Sequence, residues 1–144
     1  MNAITPSLTM QRVFPAPVAL VFAAWTRPEL LVQWWGPHHT RCIEAEAELR
    51  IGGRFRTVIE EPGVGQHEVS GQYLEIVPES RLVFSWAWAG TPDRVSRVTV
   101  NFRVVSDRET EVTLLHDRFA DAEAATRHSR GWRESLERLA AYFR

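Results

Sequence analysis

Apolar positions along this chain change period three times, and the changes divide it into four structural stretches. Thr9 to Phe14 alternates and reads as a strand, which Pro15 and Pro17 then break. Pro17 is placed for the first turn of a helix whose apolar face is Val18, Val21, Phe22 and Trp25. Thr26-Arg27-Pro28-Glu29 has the form of a capping box and predicts a second short helix burying Leu30, Leu31 and Trp34. Gly36-Pro37 ends it, because proline cannot continue a helix and restricts the residue before it.

From Arg41 to about Phe119 the period is two. Ile43, Ala45, Ala47 and Leu49 alternate with Glu44, Glu46, Glu48 and Arg50, the pattern of a half-buried strand with a charged outer face that Arg54 and Arg56 are placed to neutralise. A three-residue loop, Ile51-Gly52-Gly53, would put Phe55, Thr57 and Ile59 on the face of Ala45, Ala47 and Leu49 and set Glu48 across from Arg56. Further strands are expected at 68–76, 81–88, 95–105 and 111–116, joined by turn sequences short enough for an antiparallel meander. Leu82, Phe84, Trp86 and Trp88 share one face, Val98, Val100, Phe102 and Val104 another, and Val112, Leu114 and His116 extend that surface.

The last stretch, about 121–143, returns to a helical period. His128, Trp132, Leu136, Leu139 and Phe143 form its apolar face, Asp121 is its expected N-cap, and Glu134 to Arg138 is an i, i+4 pair in the favourable order. Gly131, in mid-helix, costs about 1 kcal/mol against alanine, so its expected use is close approach to another backbone or to a ligand.

Composition removes several functions. The 144 residues form one expected domain, 1–144, with a core large enough to need no disulfide; the single Cys42 has no partner. All 17 basic residues are arginine, which excludes Schiff-base lysines and a phosphate-loop lysine. A net charge of −1 gives no footprint for nucleic acid. No apolar run reaches membrane-span length, and Met1 to Met10 has no leader pattern, so no membrane insertion is expected and the cytoplasm is the default location. No motif implies a cofactor, and no zinc spacing implies a metal; His38-His39 lies in a loop without a third ligand nearby and is expected to be solvated.

Specific motifs accompany this order of elements: Trp34-Trp35-Gly36-Pro37, Leu49-Arg50-Ile51-Gly52-Gly53-Arg54-Phe55, Gly71-Gln72-Tyr73-Leu74-Glu75-Ile76 with Pro78 and Arg81-Leu82-Val83, and Gly131-Trp132 with Leu136 and Leu139. Together they resemble the START-like (SRPBCC) superfamily, and within it the bacterial proteins similar to the C-terminal domain of the activator of the heat-shock-protein-ninety ATPase. The resemblance spans nearly the whole chain. It implies an α+β helix-grip fold, with a curved antiparallel sheet wrapped around a long C-terminal helix and two short helices after the first strand. Similar domains include ligand carriers, lipid-transfer domains, aromatic polyketide cyclases and chaperone activators, so the fold alone does not choose a function.

The leading expectation is non-catalytic binding of a small, largely apolar molecule between sheet and helix. Tyr73, Trp86, Phe102, His116, Trp132 and Leu136 are the candidate contacts; Tyr73 and Trp132 combine an apolar body with a polar tip. Packing competes as a role for the aromatic residues. Two alternatives stand beside it: a protein-partner or chaperone-modulating module of the stress response, and a cyclase- or hydrolase-like enzyme with His116 as its base. Asp117 cannot assist His116, because neighbours on a strand point to opposite faces. Ser85 and Ser135 are hydroxyls with no identified base. A sheet with free edges is compatible with a homodimer, though no motif specifies one.

Overall fold

A computed structural model describes residues 6–144. Residues 1–5, half of the segment read for a leader, lie outside the described residues. The elements in chain order are β1 (Leu8–Phe14), α1 (Val18–Thr26), α2 (Pro28–Trp34), β2 (Arg41–Ala47), β3 (Arg54–Glu61), β4 (Gly65–Val77), β5 (Arg81–Trp88), β6 (Ser96–Ser106), β7 (Glu109–Asp117) and α3 (Ala122–Tyr142). The strands make one curled antiparallel sheet in the order β1-β7-β6-β5-β4-β3-β2. Strands β2 to β7 meander, while α1 and α2 carry the chain from the β1 edge to the opposite β2 edge. This is the α+β helix-grip architecture expected.

The inner face of the sheet carries the long alternating rows. Leu82, Phe84 and Trp86 on β5, Val98, Val100 and Phe102 on β6, and Val112, Leu114 and His116 on β7 are all buried. Trp132, Leu136 and Leu139 of α3 and Trp25 and Trp34 of the short helices complete the core. Trp25 stacks on Trp132 with ring centres 5.9 Å apart, and the Trp34 indole N–H donates to the Ala24 carbonyl at 3.0 Å. Offset and edge-to-face indoles let these rings pack without exposing a polar edge.

Local chemistry departs from the expectations at several points. Thr26 is not a helix cap: it is the buried last residue of α1, and its hydroxyl donates back to the Phe22 carbonyl at 2.9 Å. Arg27 occupies the N-cap of α2 without a side-chain bond, and Pro28 removes one of the donors a cap would have served. A bulge between Cys42 and Glu44 turns Cys42 inward and leaves Ile43 as the extra residue. Hairpin β2–β3 pairs Ala47 with Phe55 and Glu46 with Arg56, so Glu48 is not across from Arg56. A slip of two residues leaves the faces from Glu44 to Ala47 as expected, because strand side chains repeat every two.

Leu49 lies beyond the end of β2 and is 44% exposed, and Val104 is 57% exposed near the far end of β6, where the inner face is no longer covered. The charged outer face is neutralised by Arg56, which reaches Glu68 at 2.8 Å and Glu44 at 3.2 Å; Glu48 pairs instead with Arg50 at 3.1 Å. On α3, Asp121 is the N-cap, accepting from the Ala124 N–H at 2.8 Å. Glu134 pairs with Arg130 at 3.3 Å rather than with Arg138. Arg138 has turned to the loop after α2, where backbone carbonyls converge on it.

Candidate functional site

Three pieces of chain enclose a cleft. The first is the lip Trp35-Gly36-Pro37, where Gly36 sits at φ +107°, a conformation other residues rarely adopt. A Cβ there would also lie 2.6 Å from Thr40 Oγ1. The lip is tied to α3 by Arg138, whose Nη1 lies 3.1 Å from each of the Gly36, Pro37 and Thr40 carbonyls and 3.4 Å from that of Trp35. Burial lowers the pKa of this guanidinium from its ordinary value, and the ring of carbonyl dipoles holds the charge it still carries.

The second wall is the sheet, through Ile59, Trp86 and Trp88; the third is α3, through His128, Gly131, Trp132 and Ser135. The α3 residues fall at i, i+3, i+4 and i+7, one stripe of the helix. The enclosed space is about 240 Å³. Outside it a wider hollow of about 480 Å³ has a polar rim formed by His39, Glu61, His67, Arg130 and Glu134. The smaller space is the candidate site, because there the walls are chiefly indole, proline and isoleucine and an apolar guest would leave water most completely.

Two histidines organise the inner end. His128 Nδ1 lies 2.7 Å from the Ala124 carbonyl, which can only accept, so that nitrogen carries the proton. Nε2 is then the acceptor, and the indole N–H groups of Trp88 and Trp86 both donate to it, at 2.9 and 3.3 Å. His116 has the opposite tautomer: its Nδ1 accepts from the Trp132 indole at 3.0 Å, and its Nε2–H donates to Ser96 Oγ at 2.7 Å. The Ser96 hydroxyl in turn donates to the Trp86 carbonyl at 3.4 Å.

Both imidazoles are therefore neutral. Burial, with a smaller contribution from nearby His128, pushes the His116 pKa down to about 2. Burial lowers that of His128 as well, with Arg127 adding to the effect and the Ala124 bond opposing it.

Of the six candidate contacts, Trp86 and Trp132 line the cleft. Tyr73 is sealed between Phe55 and Phe84, ring centres 6.1 and 6.2 Å away, and burial pushes its phenol up to about 12. Phe102 packs on Phe22 and Trp25, and Leu136 lies in the core on α3. His116 is 0% exposed and stands behind Trp132, with both ring nitrogens bonded within the protein. It offers no lone pair to a molecule in the cleft. Ser135 lines the cleft, and its hydroxyl donates to the Gly131 carbonyl at 2.8 Å.

Sequence reasoning did not place Trp35, Ile59, Trp88 or His128 among the contacts. The Trp-Trp-Gly-Pro motif was the available signal for Trp35, since a glycine-proline turn after two tryptophans must aim at least one ring away from the helix core. His38 and His39 are not simply solvated: His38 Nε2 meets Glu137 at 2.6 Å, and Glu61 bridges His39 and His67 at 2.7 and 2.9 Å. These contacts hold the far side of the lip, and their hydrogen bonds lower the Glu61 pKa. Among the described residues, no group of three or more His, Cys, Asp or Glu side chains converges to hold a metal ion. No helix there is long and apolar enough to cross a membrane.

Grip helix, curled sheet and the cleft between them define a helix-grip domain of the START-like (SRPBCC) class. The family model for "Activator of Hsp90 ATPase homolog 1-like protein" (AHSA1) matches residues 15–144, and the chain belongs to that family. Among solved structures it is similar to an AHSA1 protein from Silicibacter pomeroyi, with 26% identity, 94% of this chain and 96% of that one covered, and a TM-score of 0.84. A protein from Chromobacterium violaceum shares 26% identity over 95% and 96% of the two chains, with a TM-score of 0.83. CalU16 from Micromonospora echinospora shares 27% identity over 95% and 75%, with a TM-score of 0.73. No curated protein matches the chain. The family is one known for holding ligands in a hydrophobic cavity.

Proposed function

We propose that this protein binds a small, largely apolar molecule in the cleft between α3 and the sheet, without transforming it. One observation carries the reading. The cleft is walled by Trp35, Trp86, Trp88 and Trp132, and the two histidines at its inner end are both committed to tryptophan N–H groups. With their lone pairs facing indole N–H groups, neither imidazole presents a free acceptor to a molecule in the cleft, which favours holding a guest over deprotonating it. Such a site is built to desolvate and hold a guest. Apolar burial supplies the affinity, at roughly 25 cal/mol per Å² removed from water.

Native mass spectrometry of freshly purified protein, with extraction of any released molecule, tests this. The expected result is a reproducible small-molecule adduct on the wild type that is missing from Gly131→Leu, a variant that fills the cleft from the helix side. An adduct of equal occupancy on both proteins would put the bound molecule elsewhere and sink the reading.

A further inference from the structure

The lip is held to α3 and to the sheet by contacts of two kinds. Arg138 stays charged throughout the range where histidines titrate, so its grip on the lip carbonyls is constant. The other contacts run through histidine. His38 Nε2 reaches Glu137 Oε2 of α3 at 2.6 Å, and His39 Nε2 reaches Glu61 Oε2 of β3 at 2.7 Å. An ionised carboxylate can only accept, so each Nε2 carries a proton whether its ring is neutral or charged. A neutral ring makes a hydrogen bond there, and a protonated ring makes an ion pair.

The surrounding charges leave these two carboxylates to the histidines. On α3, Arg127 pairs with Glu123 and Arg130 with Glu134, which also accepts from the His38 backbone N–H at 3.3 Å. On β2, Arg41 faces Glu60 at 3.5 Å. Glu137 and Glu61 have no arginine partner among the described residues. Glu61 is shared, because His67 of β4 meets its other oxygen at 2.9 Å. The bond from His67, followed by that from His39, holds the Glu61 carboxyl below its ordinary value, so it stays ionised while the histidines change charge.

We propose that residues 36–40 form a proton-operated latch at the mouth of the cleft: protonation of His38 and His39 fastens the loop to α3 and β3, and loss of those protons loosens it. The sign follows from linkage. In the closed loop each ring faces a carboxylate, which favours its charged form; in an open loop it faces water. The closed loop therefore binds more protons than the open one. Its hold is greatest at low pH and weakens as pH rises through the range, about 5 to 8, where histidine side chains change charge. As a control on entry the latch rests on the binding role proposed above, but as a motion of the loop it does not.

Hydrogen exchange at two amides reads the latch directly: the His38 N–H, which donates to Glu134, and the Thr40 N–H, which donates to the Pro37 carbonyl at 3.1 Å. Protection factors, which remove the intrinsic pH dependence of exchange, are measured by NMR at pH 6.0 and 8.0, with β6 amides as internal reference. Wild type should be roughly 2- to 10-fold better protected at pH 6.0, the range of two exposed ion pairs. Global unfolding cannot mimic this, because burial of a neutral His116 makes the fold less stable at the lower pH. In the double variant His38→Gln with His39→Gln, whose amides can donate but carry no charge, the ratio should fall to one, at the wild-type pH 8.0 value. His67→Gln should keep the wild-type ratio or enlarge it, since Glu61 is then left to His39. A wild-type ratio of one, or a ratio that survives in the double variant, overturns the latch. Loss of the ratio in His67→Gln overturns it too, by placing the titrating contact in the β3–β4 hairpin. None of these outcomes bears on whether the cleft holds a guest, which the adduct measurement decides separately.

Discussion

Gly131 is the position where stability and binding should separate. It lies in the middle of α3 and faces the cleft, and a Cβ built on it meets only Pro37 Cγ, at 3.8 Å, an ordinary van der Waals contact. No backbone clash opposes a side chain, so Gly131→Ala should gain the full helix-propensity difference of about 1 kcal/mol. For a chain of this length that raises Tm by roughly 3–5 °C. Leucine is nearly as good a helix former, and its side chain would project into the 240 Å³ space. If it excludes on the order of 100 Å² of apolar probe surface, binding weakens by about 2.5 kcal/mol, or roughly 50- to 100-fold. Scanning calorimetry and titration with 2-acetylnaphthalene give both quantities on the same samples. A drop in Tm for Gly131→Ala would mean that α3 approaches the lip more closely than 3.8 Å allows. Undiminished probe affinity in Gly131→Leu would remove the cleft as the binding site.

Other outcomes follow from the polar network. His116 takes up its proton far below the ordinary histidine value in the folded state, so on acidification the unfolded chain protonates first. Stability should be full above about pH 6.5 and fall by up to about 1.4 kcal/mol per pH unit just below it, before the carboxylates titrate. Urea unfolding at pH 7.5, 6.5 and 5.5 measures the slope, and a flat profile from 7.5 to 5.5 would contradict the buried neutral imidazole. His128→Leu strands two indole donors and should cost about 2–4 kcal/mol. His128→Gln, whose amide oxygen can accept from them, should recover part of that loss by the same assay. Arg138→Gln loosens the lip from α3: a loss of about 2–3 kcal/mol is expected, with faster hydrogen exchange at the 35–40 amides than in the sheet. Unchanged exchange there would show that the histidine–glutamate contacts hold the lip without Arg138.

Much of this molecule is legible along the chain, and the reasons are local. Period-two alternation follows from strand geometry, so the inner rows of β5, β6 and β7 could be read residue by residue, as could the apolar stripe of α3 and its Asp121 cap. Where expectations failed, a long-range competitor was present. Arg138 is placed to pair with Glu134, but carbonyls of the lip, about a hundred residues earlier in the chain, draw it away. Thr26 has the spelling of a cap, but burial at the end of α1 gives its hydroxyl a nearer carbonyl. Leu49 and Val104 continue the alternation of β2 and β6, yet both remain exposed.

Alternation assigns a face and cannot say whether that face meets another side chain or an empty space. Sequence alone therefore determined the class of fold, the order of its elements and a surplus of aromatic side chains on the inner surface. Tertiary structure decided which of these rings are core and which are wall. Tyr73 and Phe102 are sealed by neighbours from other strands and from α1, while Trp35, Trp86, Trp88 and Trp132 meet where the lip, sheet and α3 do not close. It also decided the tautomers of His116 and His128, because a ring nitrogen's role is set by the partner across from it. Those partners come from elements brought together only by folding.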